Sequence, residues 1–362
     1  MRRILHFVAD INVDSGMISV VMNYYRHMDR SRVQFDFLYF ADGERTYAEE
    51  IRALGGRLFR IDRPSLLSQR EIRRFFQAHS GEFCALHCHP IWSAAVLGGA
   101  AHRSGIRAVL LHSHSGMPGE SQLSAARNRL LLHLGKGRVD RYFACSQAAG
   151  GALRGITKEI ILLPNAIDIE CYAFRADERA ACRRELGIPA DAPMVGHVGR
   201  MVEVKNHGFL LRAFAALVRR EPSARLLLVG DGPLEPEIRR QADALGLADA
   251  VCMTGARADM PRLYAAMDVF AMPSLAEGLS MALLEAQASG LPCVVADTVS
   301  GESDVTHRMA FAPLGAAQSW ADALQKQLRA GRKKEVAVDF RARNLSIDAA
   351  AGWLMDFYER IE

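Results

Sequence analysis

Glu277 and Glu285 stand eight positions apart in a stretch, 272–297, that reads MPSLAEGLSMALLEAQASGLPCVVAD. A carboxylate is an acceptor with about four lone-pair sites, well suited to the hydroxyls of a sugar. Glu277 falls in a turn with Gly278 and Leu279. Glu285 falls in the first turns of a helix expected to begin near Ser280, a residue type that caps helix amides. Gly290, with Pro292 shortly after it, is the stop signal. Five residues of helix rise roughly 7.5 Å, so the two carboxylates can face one crevice at different depths. The free amides and dipole of the helix start attract an anion. One crevice with both features fits a nucleotide sugar. Taken singly, Glu277 is equally well a loop charge and Glu285 a solvated helix acid. Arg200 and Lys205, in 199–206 GRMVEVKN, flank another turn. They can neutralise a diphosphate, arginine as a planar fork and lysine as a point charge, or form an ordinary solvated basic loop.

The elements that must position these residues are short apolar runs alternating with helical spacings. Runs at 268–271 and 293–296 bracket the two glutamates and make a βαβ unit, whose ligand site lies at the carboxyl ends of its strands. Strands at 195–199, 226–230 and 251–254 precede it. In the first half, strands are expected at 4–9, 34–40, 57–61, 85–88, 108–112, 141–144 and 160–163, and helices at 17–28 and 71–79. Such alternation predicts parallel sheets covered by helices. The segment 164–168, PNAID, opens a charged stretch to 193 that reads as the linker between two domains. A final helix is expected over 347–361. The halves do not repeat in sequence, so their likeness is architectural only.

Three further features bear on ligands. The loop 10–16, DINVDSG, follows the first strand and opens onto a helix. Gly16 would let the backbone approach a phosphate, or simply make a turn. Histidines fall at 87 and 89 and at 112 and 114, each pair ending a strand on the ligand side of its sheet. Neither pair has zinc-finger spacing, so a metal is not expected, and strand-end packing is the expectation for His87 and His89. The basic runs 70–76, REIRRFF, and 127–141, RNRLLLHLGKGRVDR, are expected as surface helices, with a membrane-surface contact as the sharper alternative. Without interleaved aromatic residues the second run gives nucleic acid no support.

A chain of 362 residues suits two domains. Its apolar share of 50% and charged share of 24% are those of a soluble globular protein. The 45 basic and 41 acidic residues leave +4, too mild to argue for nucleic acid. No run nears the roughly 18 apolar residues of a membrane span. The start, MRRILHFVAD, runs straight into a strand with no cleavable signal pattern. The seven scattered cysteines read as reduced thiols. The expected location is therefore cytoplasmic, peripheral at the inner membrane surface if the basic helices meet lipid.

Glu277 and Glu285 match the E-x7-E motif of the retaining glycosyltransferases of the GT-B fold, family 4, and EGLSMALLEAQASGLPCVVAD resembles that family's donor-site signature. The segment 199–206 is similar to its G-R-x(4)-K-N motif, and TGAR at 254–257 to the segment that borders the nucleotide base. PNAID at 164–168 is similar to Pro-Asn-Gly-x-Asp, with Ala166 in place of glycine. Where the family shows two adjacent glycines after the first strand, this chain has Ser15 and Gly16. The resemblance runs from the first strand to about Trp320.

It implies an α/β protein of GT-B fold, two doubly wound Rossmann-like domains facing a central cleft. Residues 1–166, with a terminal helix at about 345–362 crossing back, would bind the acceptor, and 167–344 the nucleotide sugar. By resemblance Arg200 and Lys205 grip the diphosphate, Glu277 the donor sugar and Glu285 the ribose. Gly16, Thr254, Arg257, Gly278, Leu279 and Ser280 would border the donor. A histidine of the first domain, His114 or alternatively His112, would reach the transferred sugar. The implied catalytic set is thus His114, His112, Arg200, Lys205 and Glu277. The implied reaction needs neither metal nor cofactor. It transfers a sugar with retained configuration from a nucleotide-diphosphate sugar, by preference a UDP-sugar, to a glycan or lipid-linked acceptor. The likeness is to bacterial enzymes of exopolysaccharide, capsule or lipopolysaccharide synthesis. A GT-B nucleotide-sugar epimerase and a catalytically silent GT-B partner subunit are the alternatives. A periplasmic-type sugar-binding protein is disfavoured by the paired cations and the missing signal pattern.

Overall fold

The computed structural model describes every residue except 14, 117, 118, 120 and 121. It divides into two compact units, Met1–Ala166 with Ile347–Glu362, and Ile167–Ser346. Each is built on a parallel sheet covered by helices.

In the first unit the strands are β1 (Arg2–Phe7), β2 (Val33–Tyr39), β3 (Leu58–Arg60), β4 (Ala85–Cys88), β5 (Ala108–Ser113), β6 (Arg141–Ala144) and β7 (Ile160–Leu162). Their order is β3-β2-β1-β4-β5-β6-β7. Nearly every residue of β2, β4 and β5 is buried, which is why these strands read as continuous apolar runs rather than alternating ones. The chain reverses its direction of travel across the sheet between β1 and β4, and this switch point is where such sheets form ligand crevices.

The terminal helix Ile347–Glu359 lays Ala351, Leu354 and Tyr358 inward. Arg32 bonds Asp356 and Glu359 on its outer side. The Tyr358 hydroxyl lies 2.6 Å from His87 Nδ1.

The second unit holds β8 (Met194–Val198), β9 (Arg225–Val229), β10 (Val251–Met253), β11 (Val269–Met272), β12 (Cys293–Ala296) and β13 (Met309–Ala312), in the order β10-β9-β8-β11-β12-β13. Its switch point lies between β8 and β11. Its core includes Trp320, Phe214, Tyr264 and Phe270.

Two elements differ from the sequence expectation. β13, an edge strand with Phe311 outward, is not among the expected strands, although its four residues are all apolar. The charged stretch after 168, expected as a linker, contains the helix Ala176–Glu185. That helix is held by charge rather than by an apolar stripe: Arg179 and Arg183 bond Asp268 at 2.7 Å each. All seven cysteines are free thiols, four of them buried.

Asp36 of β2 fixes the edge of the first sheet. Its side chain is fully buried and receives Arg3 at 2.6 Å and Arg57 at 3.0 Å, and the Arg57 amide at 2.8 Å. Burial alone would raise this carboxyl. The hydrogen bonds from Arg3 and Arg57 outweigh it and hold the group below its usual range. A carboxyl depressed in the folded state contributes stability above its unfolded pKa, about 3.9, and loses it as pH falls through the folded value. We expect Asp36→Asn to lower unfolding free energy by about 3 kcal/mol at neutral pH. The deficit should hold down to about pH 5 and shrink in more acid solution. Urea unfolding across a pH series measures it, and a deficit that grows on acidification would contradict the assignment.

Candidate active site

In the second unit the loops leaving β8 and β11 meet at the switch point. Lys205 comes from the first loop and Glu277 from the second, and Lys205 Nζ donates to Glu277 Oε1 at 2.6 Å. Both side chains are largely buried, at 20% and 11% exposure, so this pair is less screened than a surface ion pair. The two loops are also stitched through the backbone. Leu275 N–H donates to the Val204 carbonyl at 2.8 Å, and the Asn206 side chain adds a bond from Nδ2 to the Pro273 carbonyl at 3.2 Å. Asn206 adopts a left-handed φ of 56°, a conformation asparagine tolerates.

Glycines let the neighbouring loops close. A Cβ at Gly199 would stand 3.3 Å from Lys205 Cε. A Cβ at Gly230, where φ is 130°, would collide with the Gly199 carbonyl oxygen. The loop after β9 therefore seals against the loop after β8, with Met201 N–H bonded to the Asp231 carbonyl at 2.6 Å. Arg200 lies exposed between these tied positions.

Ser280 precedes the helix Met281–Ala288 with an extended backbone, but its hydroxyl makes no capping bond. The expected side-chain cap is therefore absent, and the helix start keeps amides that no cap side chain satisfies. Gly278 is half-buried and Leu279 buried beside it. Glu285 is not the solvated acid of the simpler reading. Burial pushes its carboxyl up, while the hydroxyls of Tyr264 and Tyr172 act in the opposite sense. Tyr264 donates to Glu285 Oε2 at 2.8 Å.

Thr254 follows β10 and donates to the Gly255 carbonyl at 3.0 Å. Arg257 is bound to Asp259 at 2.7 Å and Glu185 at 2.8 Å. Those two carboxylates raise its pKa. Its guanidinium belongs to a network with Arg262 and Glu178, a structural role the sequence reading did not include.

Two histidines beneath the Lys205 loop were not anticipated. His197 Nδ1 bonds the Ala271 carbonyl at 2.8 Å and so joins β8 to β11. His207 packs edge-on against it, with ring centroids 4.7 Å apart. Burial, then the charge of Lys205, lowers His207 to about 4. The signal was available: His197 sits at an inward position of a strand otherwise apolar.

In the first unit, Gly16 begins the helix Gly16–Arg26. A Cβ there would meet nothing within 4 Å, so neither packing nor backbone strain calls for glycine. Position 14 of the same loop lies outside the described residues. His112 ends β5 fully buried, while His114, just beyond it, is half-buried. His114 Nε2 is 2.8 Å from His89 Nδ1. Burial lowers His114 to about 4 and lowers His112 well below its usual value, so both rings are neutral at pH 7.

Known proteins share this arrangement. Residues 15–171 match the family described as Glycosyltransferase Family 4, and residues 192–330 that described as Glycosyl transferases group 1. The crystal structure of Anabaena Alr3699/HepE in complex with UDP and glucose superposes with a TM-score of 0.81, over 99% of this chain and 100% of that one, at 20% identity. Sucrose-phosphate synthase from Thermosynechococcus elongatus gives 0.79 over 100% and 99%, also at 20% identity. The fold is therefore GT-B. A Bacillus subtilis protein named as a glycosyltransferase, EpsF, is 36% identical over 99% of this chain and 96% of its own length. The chain belongs to glycosyltransferase family 4 and is a glycosyltransferase.

Because burial disfavours the charged form of Glu285, Glu285→Gln removes a cost while keeping the shape that Tyr264 contacts. A group with a raised folded pKa weakens the fold as pH rises through that value. The variant should therefore melt at or above the wild-type temperature at pH 8, yet turn over at least about tenfold more slowly. Differential scanning calorimetry beside an activity assay reads both. A lower Tm with unchanged turnover would mean a purely structural Glu285.

Proposed function

We propose that this enzyme transfers a sugar, with retained anomeric configuration, from a nucleotide-diphosphate sugar, by preference a UDP-sugar, to a glycan or lipid-linked acceptor in bacterial surface polysaccharide synthesis. The observation that carries this reading is the Lys205–Glu277 pair at the switch point, with exposed Arg200 on one side and the uncapped start of the Met281–Ala288 helix on the other. Relatives support the substrate classes. HepE structures contain UDP, or UDP-glucose. A relative from Escherichia coli, 32% identical over 38% of this chain and 37% of its own, is named UDP-Gal:alpha-D-GlcNAc-diphosphoundecaprenol alpha-1,3-galactosyltransferase.

In this mechanism the leaving diphosphate gathers negative charge as the glycosidic bond breaks. Arg200, Lys205 and the helix amides after Ser280 stabilise that charge, which is the dominant catalytic effect and needs no metal. Arrival of the diphosphate draws Lys205 away from Glu277, and the released carboxylate accepts hydroxyls of the donor sugar. Glu285, deeper in the crevice, accepts the ribose hydroxyls. His114, the less buried of the two candidate histidines, reaches the sugar as a neutral ring. Gly16, Thr254, Gly278 and Leu279 border the donor through their backbone.

A groove in the first unit supports a lipid-linked acceptor and peripheral contact with the inner membrane surface. Leu66, Trp92, Leu130 and Leu134 line it between Arg63 and Arg127, and Leu67 and Leu123 are 97% and 85% exposed. The other basic run is less suited, because the helix Gln69–Ala78 buries Ile72 and Phe76. Among the described residues no helix is long and apolar enough to cross a membrane. Anionic vesicles should therefore co-sediment the wild type, and Leu130→Asp should weaken that; equal binding would remove the groove from the account.

Thermal shift and slow hydrolysis with UDP-, GDP- and ADP-sugars test the donor. At a hundred times its dissociation constant a bound donor adds about 2.7 kcal/mol of stability. We expect a shift with UDP-sugars, its loss in Lys205→Ala, and a fall in turnover of at least about a hundredfold in that variant. A shift with another base would replace the donor assignment, and full activity of a folded Lys205→Ala would refute the site.

A further inference from the structure

Five histidines of the first unit lie on one face of its sheet, at the switch point. Side chains two apart on a strand share a face, so His87 and His89 point the same way, as do His112 and His114. The register pairs His6 of β1 with His87 of β4, and runs Cys88 against Leu111, which sets His89 beside His112. The rings pack in layers, with centroids 5.2 Å apart for His6 and His87 and 4.7 Å for His87 and His89. The helices Gly16–Arg26 and Ile347–Glu359 contribute Val20, Tyr24, Leu354 and Tyr358 to the small cavity there, about 10 Å³, enough for one ion or one water.

The nitrogens are arranged as ligands. His6 Nδ1 and His89 Nε2 are 3.0 Å apart, and tetrahedral nitrogens about 2.05 Å from zinc stand roughly 3.4 Å from one another. Among the described residues His87 is held from one side only: Nδ1 meets the Tyr358 hydroxyl at 2.6 Å, while the buried Nε2 has no hydrogen-bond partner. One nitrogen from each of His6, His87 and His89 lies within 4.8 Å of the other two, and all three residues are buried. Hydrogen bonds join His6 to His89 and His87 to Tyr358, but among the described residues they leave His6 Nε2 and His87 Nε2 buried without a partner, at a cost of about 1–3 kcal/mol each.

We propose that His6, His87 and His89 bind one divalent transition-metal ion, with Tyr358 orienting His87 through its Nδ1. Three imidazoles without carboxylate or thiolate suit zinc, nickel or copper and not magnesium or calcium. The ion would tie β1 to β4 and, through Tyr358, to the terminal helix. It also sets a proton. With the ion on His89 Nε2, the proton of His89 is on Nδ1 and donates to His114 Nε2, 2.8 Å away. His114 is then left with a proton on Nδ1, beside Asn165. The metal is separate from diphosphate chemistry, and the inference stands whether or not the donor assignment does.

The test uses the full chain, without an affinity tag, stripped with chelator and dialysed against zinc or cobalt. We expect one zinc per chain by elemental mass spectrometry and a Tm higher by at least about 5 °C. Cobalt should give the visible absorption of a tetrahedral nitrogen site, and magnesium should change nothing. His6→Gln and His87→Gln should lose metal and spectrum, while His102→Gln and His133→Gln, at exposed positions, should keep both. Substoichiometric zinc with an unmoved Tm would overturn the proposal. So would retention of the cobalt spectrum in a folded His87→Gln, or its loss in His112→Gln alone, which would move the ion to His89, His112 and His114. Should the core variants fail to fold, X-ray absorption of the zinc-loaded wild type decides: three imidazoles support the site, and fewer refute it.

Discussion

The ion pair between Lys205 and Glu277 is the contact on which the proposed chemistry turns. It spans the place where the second sheet reverses, and it joins the two loops that a ligand at that position must meet. A lysine and a glutamate at 2.6 Å hold each other in place and mask each other's charge. A diphosphate offers the lysine more negative charge than one carboxylate does. Binding can therefore exchange one partner for the other, and the freed glutamate becomes an acceptor for hydroxyls at the moment a sugar arrives. In the proposed mechanism the pair is thus both a brace for the two loops and the trigger for sugar binding.

The supporting structure keeps that pair aimed. Parallel strands deliver all their carboxyl-end loops to one side, and glycines at 199 and 230 let those loops touch through backbone alone. Glu285 is fixed by Tyr264 rather than by water, and the Ser280 hydroxyl leaves the helix amides uncapped. These features run against local stability, since a buried carboxyl and an uncapped helix start each cost free energy. Such departures concentrate where a ligand supplies the missing partner.

Much of this was legible in the sequence. The inner strands of both sheets are largely buried on two faces, so β4, β6 and β12 read at the residues where they occur. The spacing of Glu277 and Glu285 and the cations at 200 and 205 stood out because charge on a strand-end loop is conspicuous. What was hidden depended on contacts distant in sequence. The helix Ala176–Glu185 is secured by Asp268, some ninety residues away. Arg257, expected to border the donor, also pairs with Glu185 and Asp259, partners visible only in three dimensions. The histidine pairs lack zinc-finger spacing, and the proposed ion site draws instead on residues two apart on one strand and on its neighbour. His6 could join them only once β1 was known to lie beside β4.

The most direct test of the central claim is a crystal structure of the protein soaked with a nucleoside diphosphate. The account predicts the diphosphate between Arg200, Lys205 and the start of the Met281–Ala288 helix, with Lys205 Nζ moved from Glu277 to a phosphate oxygen. A diphosphate bound elsewhere, or bound there with the 2.6 Å Lys205–Glu277 contact intact, would contradict it.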